Sequence, residues 1–265
     1  MRKIPNINWI EWLIGFCDAD ANFQVFPKKR YYLKKDGNVS NFYNIGYGFH
    51  ISLSIKDLDL LKAIQNNLNG IGHSYVYKNR DEARLSITKT EELTWLILNI
   101  FDHAQLITQH QRERYARFRL GVLNNFNRVD SLDEYNKFIE TSYIYAAIDP
   151  NYFKSVAFDN WIIGFINGEG SFNIHSKKKH LIFYIEHTDR NSLVYIKNRF
   201  SLSPSITYRE ARSDRRQPTY VLFISSKKDT KNIMEFFNSN HLSPLAGNKY
   251  DQFKTWIAWY EQGLA

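Results

Sequence analysis

Apolar and polar residues alternate strictly along two early stretches of the chain. Phe23 and Val25 interleave with Asn22 and Gln24, and Ile45, Tyr47, Phe49, Ile51, Leu53 and Ile55 interleave with Asn44, Gly46, Gly48, His50, Ser52 and Ser54. A period of two predicts strands with one face buried, and Asp36-Gly37 between them predicts a hairpin turn. Upstream, the apolar residues after Asn8 and Glu11 predict a capped helix over about residues 9–20. Downstream, Leu58, Leu61, Ile64 and Leu68 recur at helical spacing and Gly70 supplies a stop. Strands near 73–78 and 83–88 and helices near 90–101 and 108–123 follow. The order then starts again: a helix at 159–169, strands near 171–176 and 180–187, a helix at 189–200, strands near 205–211 and 218–225, and helices near 228–238 and 247–261.

The recurrence extends to the residues themselves. WLIGFCDADANF at 12–23 returns as WIIGFINGEGSF at 161–172, with Trp12, Ile14, Gly15, Phe16, Asp20 and Phe23 each 149 positions before Trp161, Ile163, Gly164, Phe165, Glu169 and Phe172. Further on, Asp57, Leu61, Ile64 and Asn66 precede Asp189, Leu193, Ile196 and Asn198 by only 132, so the first copy carries 17 extra residues between its acid and its second helix. These patterns predict an α+β fold of two pseudo-symmetric αββαββα units, residues 1–123 and 158–265, each with an antiparallel sheet. Residues 124–157 lack the repeat and read as a linker, partly helical around 131–141.

Gly15 and Ala19 lie four apart in the first repeated helix, and Gly164 and Gly168 in the second. Small residues at i and i+4 share a helix face and let another backbone approach more closely than the usual 8–10 Å or so. A glycine inside a helix costs about 1 kcal/mol relative to alanine, which tight packing of the two repeats against each other would offset. Asp20 and Glu169 end these helices, so pairing would bring two carboxylates together. Like charges at close range call for a proton or a cation between them. The expected cation is Mg²⁺, with Mn²⁺ or Ca²⁺ able to take its place, completed by phosphate and water oxygens; the matching reaction is phosphodiester hydrolysis. Asp18 and Asn167 read as packing or hydrogen-bonding positions, and Cys17 as an apolar filler.

Charge supports a polyanionic partner: 35 Lys and Arg against 27 Asp and Glu give +8, with a pI near 9.3. One cysteine excludes an intrachain disulfide and a cysteine-based zinc site. No apolar stretch approaches the roughly 18–20 residues of a membrane span, and MRKIPNINW is too short for a leader. The expectation is a soluble intracellular monomer without a membrane partner. Abundant Asn, Lys and Ile hint at AT-rich coding and hence an organelle, mitochondrion or chloroplast.

The two strings resemble the LAGLIDADG motif of homing endonucleases in their single-chain, two-motif form. Leu13-Ile14-Gly15-Phe16-Cys17-Asp18-Ala19-Asp20-Ala21 lies on the first motif and Ile162-Ile163-Gly164-Phe165-Ile166-Asn167-Gly168-Glu169-Gly170 on the second. The resemblance implies that Asp20 and Glu169 are catalytic divalent-metal ligands, that two saddle-shaped sheets grip a long duplex, and that both strands are cut to leave short 3′ overhangs. Ala21 stands where the motif has glycine, so the first helix exit is expected to be strained or altered, and Asn167 replaces a common acid. The family tends to place a lysine near the start of each unit's last helix. Lys249 fits that position, and His110 is where the first unit's lysine is expected, so unequal cleavage of the two half-sites is implied.

If Phe23 and Val25 face the helices, Asn22, Gln24, Phe26, Lys28 and Arg30 face outward, with Lys34, Asn44 and His50 alongside. In the second unit the outward set is Ser171, Asn173, His175, Lys177 and Lys179. Each unit's second hairpin adds Tyr75, Tyr77, Asn79, Arg80 and Arg84, and Arg209, Arg212, Arg215, Arg216 and Gln217. Such ribbons suit the major groove, where Arg, Lys, Asn and Gln read base edges, while cations near the turns hold phosphates. Three functions remain open on the sequence: a site-specific DNA endonuclease, a group I intron maturase that binds RNA, and a DNA-binding relic that no longer cuts.

Overall fold

The computed structural model describes residues 2–33, 35, 37, 39–140, 147–175, 177, 180–211, 217–238 and 244–262. Lys34, Lys179, Arg212, Arg215 and Arg216, and Asp36 of the expected turn, lie outside the described residues.

The first unit runs α1 (Ile7–Asp20), β1 (Ala21–Leu33), β2 (Val39–Ser54), α2 (Leu58–Asn67), β3 (His73–Tyr77), β4 (Glu82–Ile87), α3 (Thr90–Leu96) and α4 (Gln109–Leu123). Then come β5 (Arg128–Val129) and α5 (Leu132–Glu140). The second unit runs α6 (Val156–Glu169), β6 (Gly170–His175), β7 (His180–His187), α7 (Arg190–Arg199), β8 (Thr207–Arg209), β9 (Thr219–Ile224), α8 (Lys227–Phe237) and α9 (Gly247–Glu261). Each unit therefore closes with two helices rather than one. α3 widens into a π-helical turn over Ile97–Phe101, which keeps Ile97, Ile100 and Phe101 in the core.

Two antiparallel sheets carry equivalent orders, β1-β2-β4-β3 and β6-β7-β9-β8. The period-two pattern decides their faces. Phe23, Phe49, Ile51, Leu85 and Ile87 are buried against the helices, as are Phe172, Leu181, Phe183, Ile185 and Leu222. The opposite faces hold the polar partners. The linker is more than a tether: β5 pairs with β2, Tyr43 to Val129 and Asn44 to Arg128, and makes the first sheet five-stranded.

α1 and α6 form the seam. α1 is capped by Asn6, whose Oδ1 accepts from the Asn8 amide at 2.8 Å. The expected capping pair of Asn8 and Glu11 is absent, because Glu11 instead accepts from Asn160 Nδ2 on α6 at 3.1 Å. α6 begins with Ser155, whose Oγ accepts from the Phe158 amide at 3.2 Å. At the crossing, a Cβ on Gly15 would fall 1.9 Å from the Trp161 carbonyl oxygen, and one on Gly164 would fall 1.8 Å from that of Trp12. The two contacts are images of each other under the 149-residue offset, so the repeat is a pseudo-two-fold axis through this crossing. Glycine is required at both positions because backbone, not a yielding side chain, fills the space.

Candidate nuclease centre and nucleic-acid interface

The C-terminal ends of α1 and α6 meet at one end of the seam. A Cβ on Gly168 would lie 2.5 Å from Ala19 Cβ and 2.7 Å from Asp20 Oδ2, which places the Asp20 carboxylate against the residue preceding Glu169. Both acids are half-buried. Among the described residues, neither accepts a hydrogen bond or lies within ion-pair distance of a cation. Burial lifts the Asp20 carboxyl to about 6, against the pull of Lys249 and with a push from Asp57. Burial, then the Asp20 charge, lifts Glu169 to about 8, with Lys249 opposing and Glu186 adding. Two desolvated carboxylates, the charge of Asp20 raising Glu169, with oxygens left over for a ligand, suit a hard oxygen-seeking divalent cation. No trio of acidic, histidine or cysteine side chains suitable for a metal occurs among the described residues, so the two carboxylates would supply only part of a cation's oxygen shell.

The motif residues preceding the acids hold the frame. Asp18 is fully buried and accepts from the Ile107 amide at 2.7 Å, the Thr108 amide at 3.2 Å, Thr108 Oγ1 at 2.6 Å and Trp161 Nε1 at 2.8 Å. Burial still pushes its carboxyl up to about 7. Its mate Asn167 accepts from the Ala246 amide at 2.6 Å. Each thus pins the residue just before its unit's last helix, as expected for hydrogen-bonding positions. Asp57 Oδ1 accepts from the Asn248 amide at 2.7 Å, and its repeat mate Asp189 accepts from the Gln109 amide at 3.0 Å. These two acids join each unit to the other's last helix.

Counted from the starts of α4 and α9, Lys249, third in α9, corresponds to Gln111, third in α4, although the amides held by Asp57 and Asp189 set Asn248 opposite Gln109 and so Lys249 opposite His110. The Lys249 ammonium donates to the carbonyl of Gly170, the residue after Glu169. Gln111 Nε2 donates to the carbonyl of Ala21, the residue after Asp20, at 2.6 Å, and to that of Cys17 at 3.1 Å. His110, the residue expected in the lysine position, packs against His187, ring centroids 5.6 Å apart. Burial, reinforced by the Arg114 charge, lowers the His110 pKa. Burial first, then His110, holds His187 at about 4.

Lys249 is depressed by burial, while Asp20, Asp57 and Glu169 pull it back up. With Asp20, Gly168, Asp57, Arg80 and Asn248 it lines a cleft of about 440 Å³. Ala21 brings no strain: its φ of −89° and ψ of 159° match the −71° and 155° of Gly170, an extended conformation open to any residue.

The outward face of the first sheet collects Asn22, Gln24, Phe26, Lys28 and Arg30 of β1 with Asn44 and His50 of β2. Gln24 Oε1 meets His50 Nε2 at 3.0 Å, and His50 Nδ1 meets Ser86 Oγ at 2.9 Å. Lys28 lies over the Phe26 ring at 5.0 Å. Tyr75 and Tyr77 stack at 6.3 Å, and Arg80 and Arg84 lie over Tyr77 at 5.9 and 5.7 Å. Asn79 is exposed in the turn after β3. On the second sheet Asn173 Nδ2 donates to Ser171 Oγ at 2.7 Å, and His175, Lys177 and Gln217 are exposed.

Two arginines are less free than their sequence suggests. Arg84 pairs with Glu82 at 2.7 Å and Arg209 with Glu186 at 3.0 Å. Glu186 also accepts from Tyr184 and from Thr219 Oγ1, the latter at 2.5 Å. Neither acid sits in a basic run, although the alternation of β4 and β7 turns both outward.

Two copies of one α+β unit, meeting along a glycine-lined helix pair with two carboxylates at its end and a polar sheet on each side, define a single-chain protein with one centre shared between two halves. The comparisons with known proteins agree. The chain belongs to the LAGLIDADG endonuclease family, whose model matches residues 13–119 and again 162–260. It is similar to a probable intron-encoded endonuclease, Cox1-I1b, of Schizosaccharomyces pombe, 26% identical over 94% of this chain and 63% of that protein. It is also similar to an uncharacterized mitochondrial protein, RF1, of Saccharomyces cerevisiae, 27% identical over 72% of this chain and 38% of that one. The chain thus matches less than two thirds of the length of either relative. Among solved structures, the I-LtrWI LAGLIDADG homing endonuclease bound to target DNA superposes with a TM-score of 0.72 at 20% identity, covering 97% of this chain and 91% of that one. The I-CpaMI meganuclease bound to uncleaved DNA gives 0.67 at 22% identity over 97% and 94%. At such identities the likeness establishes the fold.

Proposed function

We propose that the protein is a site-specific DNA endonuclease that hydrolyses one phosphodiester in each strand of a long asymmetric duplex and leaves short 3′ overhangs. The observation that carries this reading is the pair Asp20 and Glu169, equivalent in the repeat, desolvated together and without a protein partner. They would hold a divalent cation, Mg²⁺ first and Mn²⁺ or Ca²⁺ by the same chemistry. When bound, such an ion makes water a nucleophile at neutral pH and offsets charge on the leaving 3′ oxygen. The protein's own contributions are distinct. Asp20 and Glu169 must both release their protons to bind the ion, and Lys249 places a cation in the cleft beside them, suited to the charge of a scissile phosphate. Gln111 offers only a neutral amide, occupied by two carbonyls, at the mate position. The two strands are therefore cut at unequal rates.

The sheets' outward faces serve as the reading surface, with amides and unpaired cations for base edges and phosphates. One chain supplies both half-sites, so the protein acts as a monomer, which light scattering of the DNA-free protein checks. The names of its relatives and its Asn-, Lys- and Ile-rich composition together favour an organellar intron as its source. The test is selection of cleaved molecules from a randomised duplex library in Mg²⁺, with an EDTA arm and sequencing of the ends. The reading expects one long consensus with 3′ overhangs and no product in EDTA. Ends without a consensus, or cutting that survives EDTA, would contradict it.

A further inference from the structure

The geometry points to the linker as a third nucleic-acid-binding element, one that lengthens the N-terminal half-site and places Arg128 on the reading face. This rests on the DNA-binding reading of the sheets. The two hairpins after the acids differ in length. β1 and β2 have 13 and 16 residues, whereas β6 and β7 have 6 and 8. Seven extra residues at about 3.3 Å each add some 20 Å of strand, on the order of six base pairs at about 3.4 Å.

A long two-stranded ribbon is marginal by itself, and the linker supports this one. The Ile45 amide donates to the Asn127 carbonyl at 2.9 Å, Tyr47 Oη donates to that of Phe126 at 2.6 Å, and Tyr135 Oη donates to that of Val25 at 2.9 Å. Phe126 stacks on Phe138 of α5 at 4.5 Å.

Strand parity then decides where Arg128 points. Directly opposed residues of an antiparallel pair share a face, and Lys28, Asn44 and Arg128 are opposed in turn across three strands. The next residue, Val129, is buried on the helix side, so Arg128 faces outward. Its guanidinium lies 4.1 Å from the centroid of the Phe42 ring and 3.4 Å from Asp130, and its side chain is 55% exposed. A planar cation laid on an aromatic ring, one nitrogen against Asp130 and the rest of its edge exposed on the face of Lys28 and Asn44, is arranged to meet a guanine edge or a phosphate. The second unit has no such prop among the described residues.

The test is hydroxyl-radical footprinting and salt-dependent affinity on the selected target in EDTA, comparing the wild type with Arg128→Ala and Arg128→Gln. The glutamine variant keeps a stem on Phe42, so loss of fold does not confuse the result. The expected wild-type footprint is longer on one side of the cut by on the order of six base pairs. Both variants shorten only that arm, bind roughly 5- to 100-fold more weakly, and lose about one unit of salt slope. A wild-type footprint equal on both sides, or variants that match the wild type in footprint and slope, would overturn the inference. Absence of any wild-type footprint would instead overturn the DNA-binding reading beneath it.

Discussion

At Asp20 and Glu169, the burial that readies the carboxylates for a cation makes them a liability without one. Below about pH 4 both are neutral whether the chain is folded or unfolded. From there to about pH 8 the folded protein keeps protons that the unfolded chain has released, since folding raises Asp20 to about 6 and Glu169 to about 8. Stability contributed by these groups therefore falls as pH rises through that window. Asp20→Asn is expected to stabilise the metal-free protein by about 1–3 kcal/mol at pH 8 and negligibly at pH 4. Thermal melts at the two pH values check this, and a lower Tm for the variant at pH 8 would count against it. Divalent-ion affinity should rise over the same window as the ligands lose their protons. Lys249→Gln, which copies the residue at the mate position, should slow cleavage roughly 100-fold with binding within about threefold, as single-turnover kinetics would show. The acids were legible in the sequence because the repeat wrote them twice. Gln111 was not: the start of α4 is fixed by Thr108 bonding to Asp18 across 90 residues, a contact that no local count reveals.

At the scale of elements, the glycine crossing is the least forgiving feature. Gly164→Ala would set a methyl 1.8 Å from a main-chain oxygen, so α1 and α6 must separate. Overpacking of a core costs about 1–3 kcal/mol and more where backbone blocks relief, and urea unfolding is expected to place this variant at or beyond 3 kcal/mol. A loss below about 1 kcal/mol would mean that the helices are not in backbone contact. Small residues four apart made this pairing readable in advance, and alternation made the sheets readable. β5 was not, because two residues cannot display a period; its pairing to Tyr43 and Asn44 depends on how the linker folds back. The cap of α1 shifted from Asn8 to Asn6 because Glu11 serves the other repeat.

For the whole molecule, the two units are tied by the seam and by the bonds of Asp57 to Asn248 and Asp189 to Gln109. A single unfolding transition is expected in urea by fluorescence and circular dichroism; two separated transitions would show independent halves. The pseudo-two-fold axis could be inferred from the repeat, and the overall charge of +8 from composition. The pairing of Arg209 with Glu186 on the reading face could not be, since it joins β8 to β7, whereas Arg84 and Glu82 share a face of β4 two residues apart. Whether the two carboxylates make one catalytic centre decides how the molecule works. The direct measurement is cleavage and binding of the selected duplex in Mg²⁺ by the wild type, Asp20→Asn and Glu169→Gln. Loss of cleavage by at least about 1,000-fold in each variant, with affinity for the duplex held within about fivefold, is the predicted result. Cleavage near the wild-type rate by either one would contradict it.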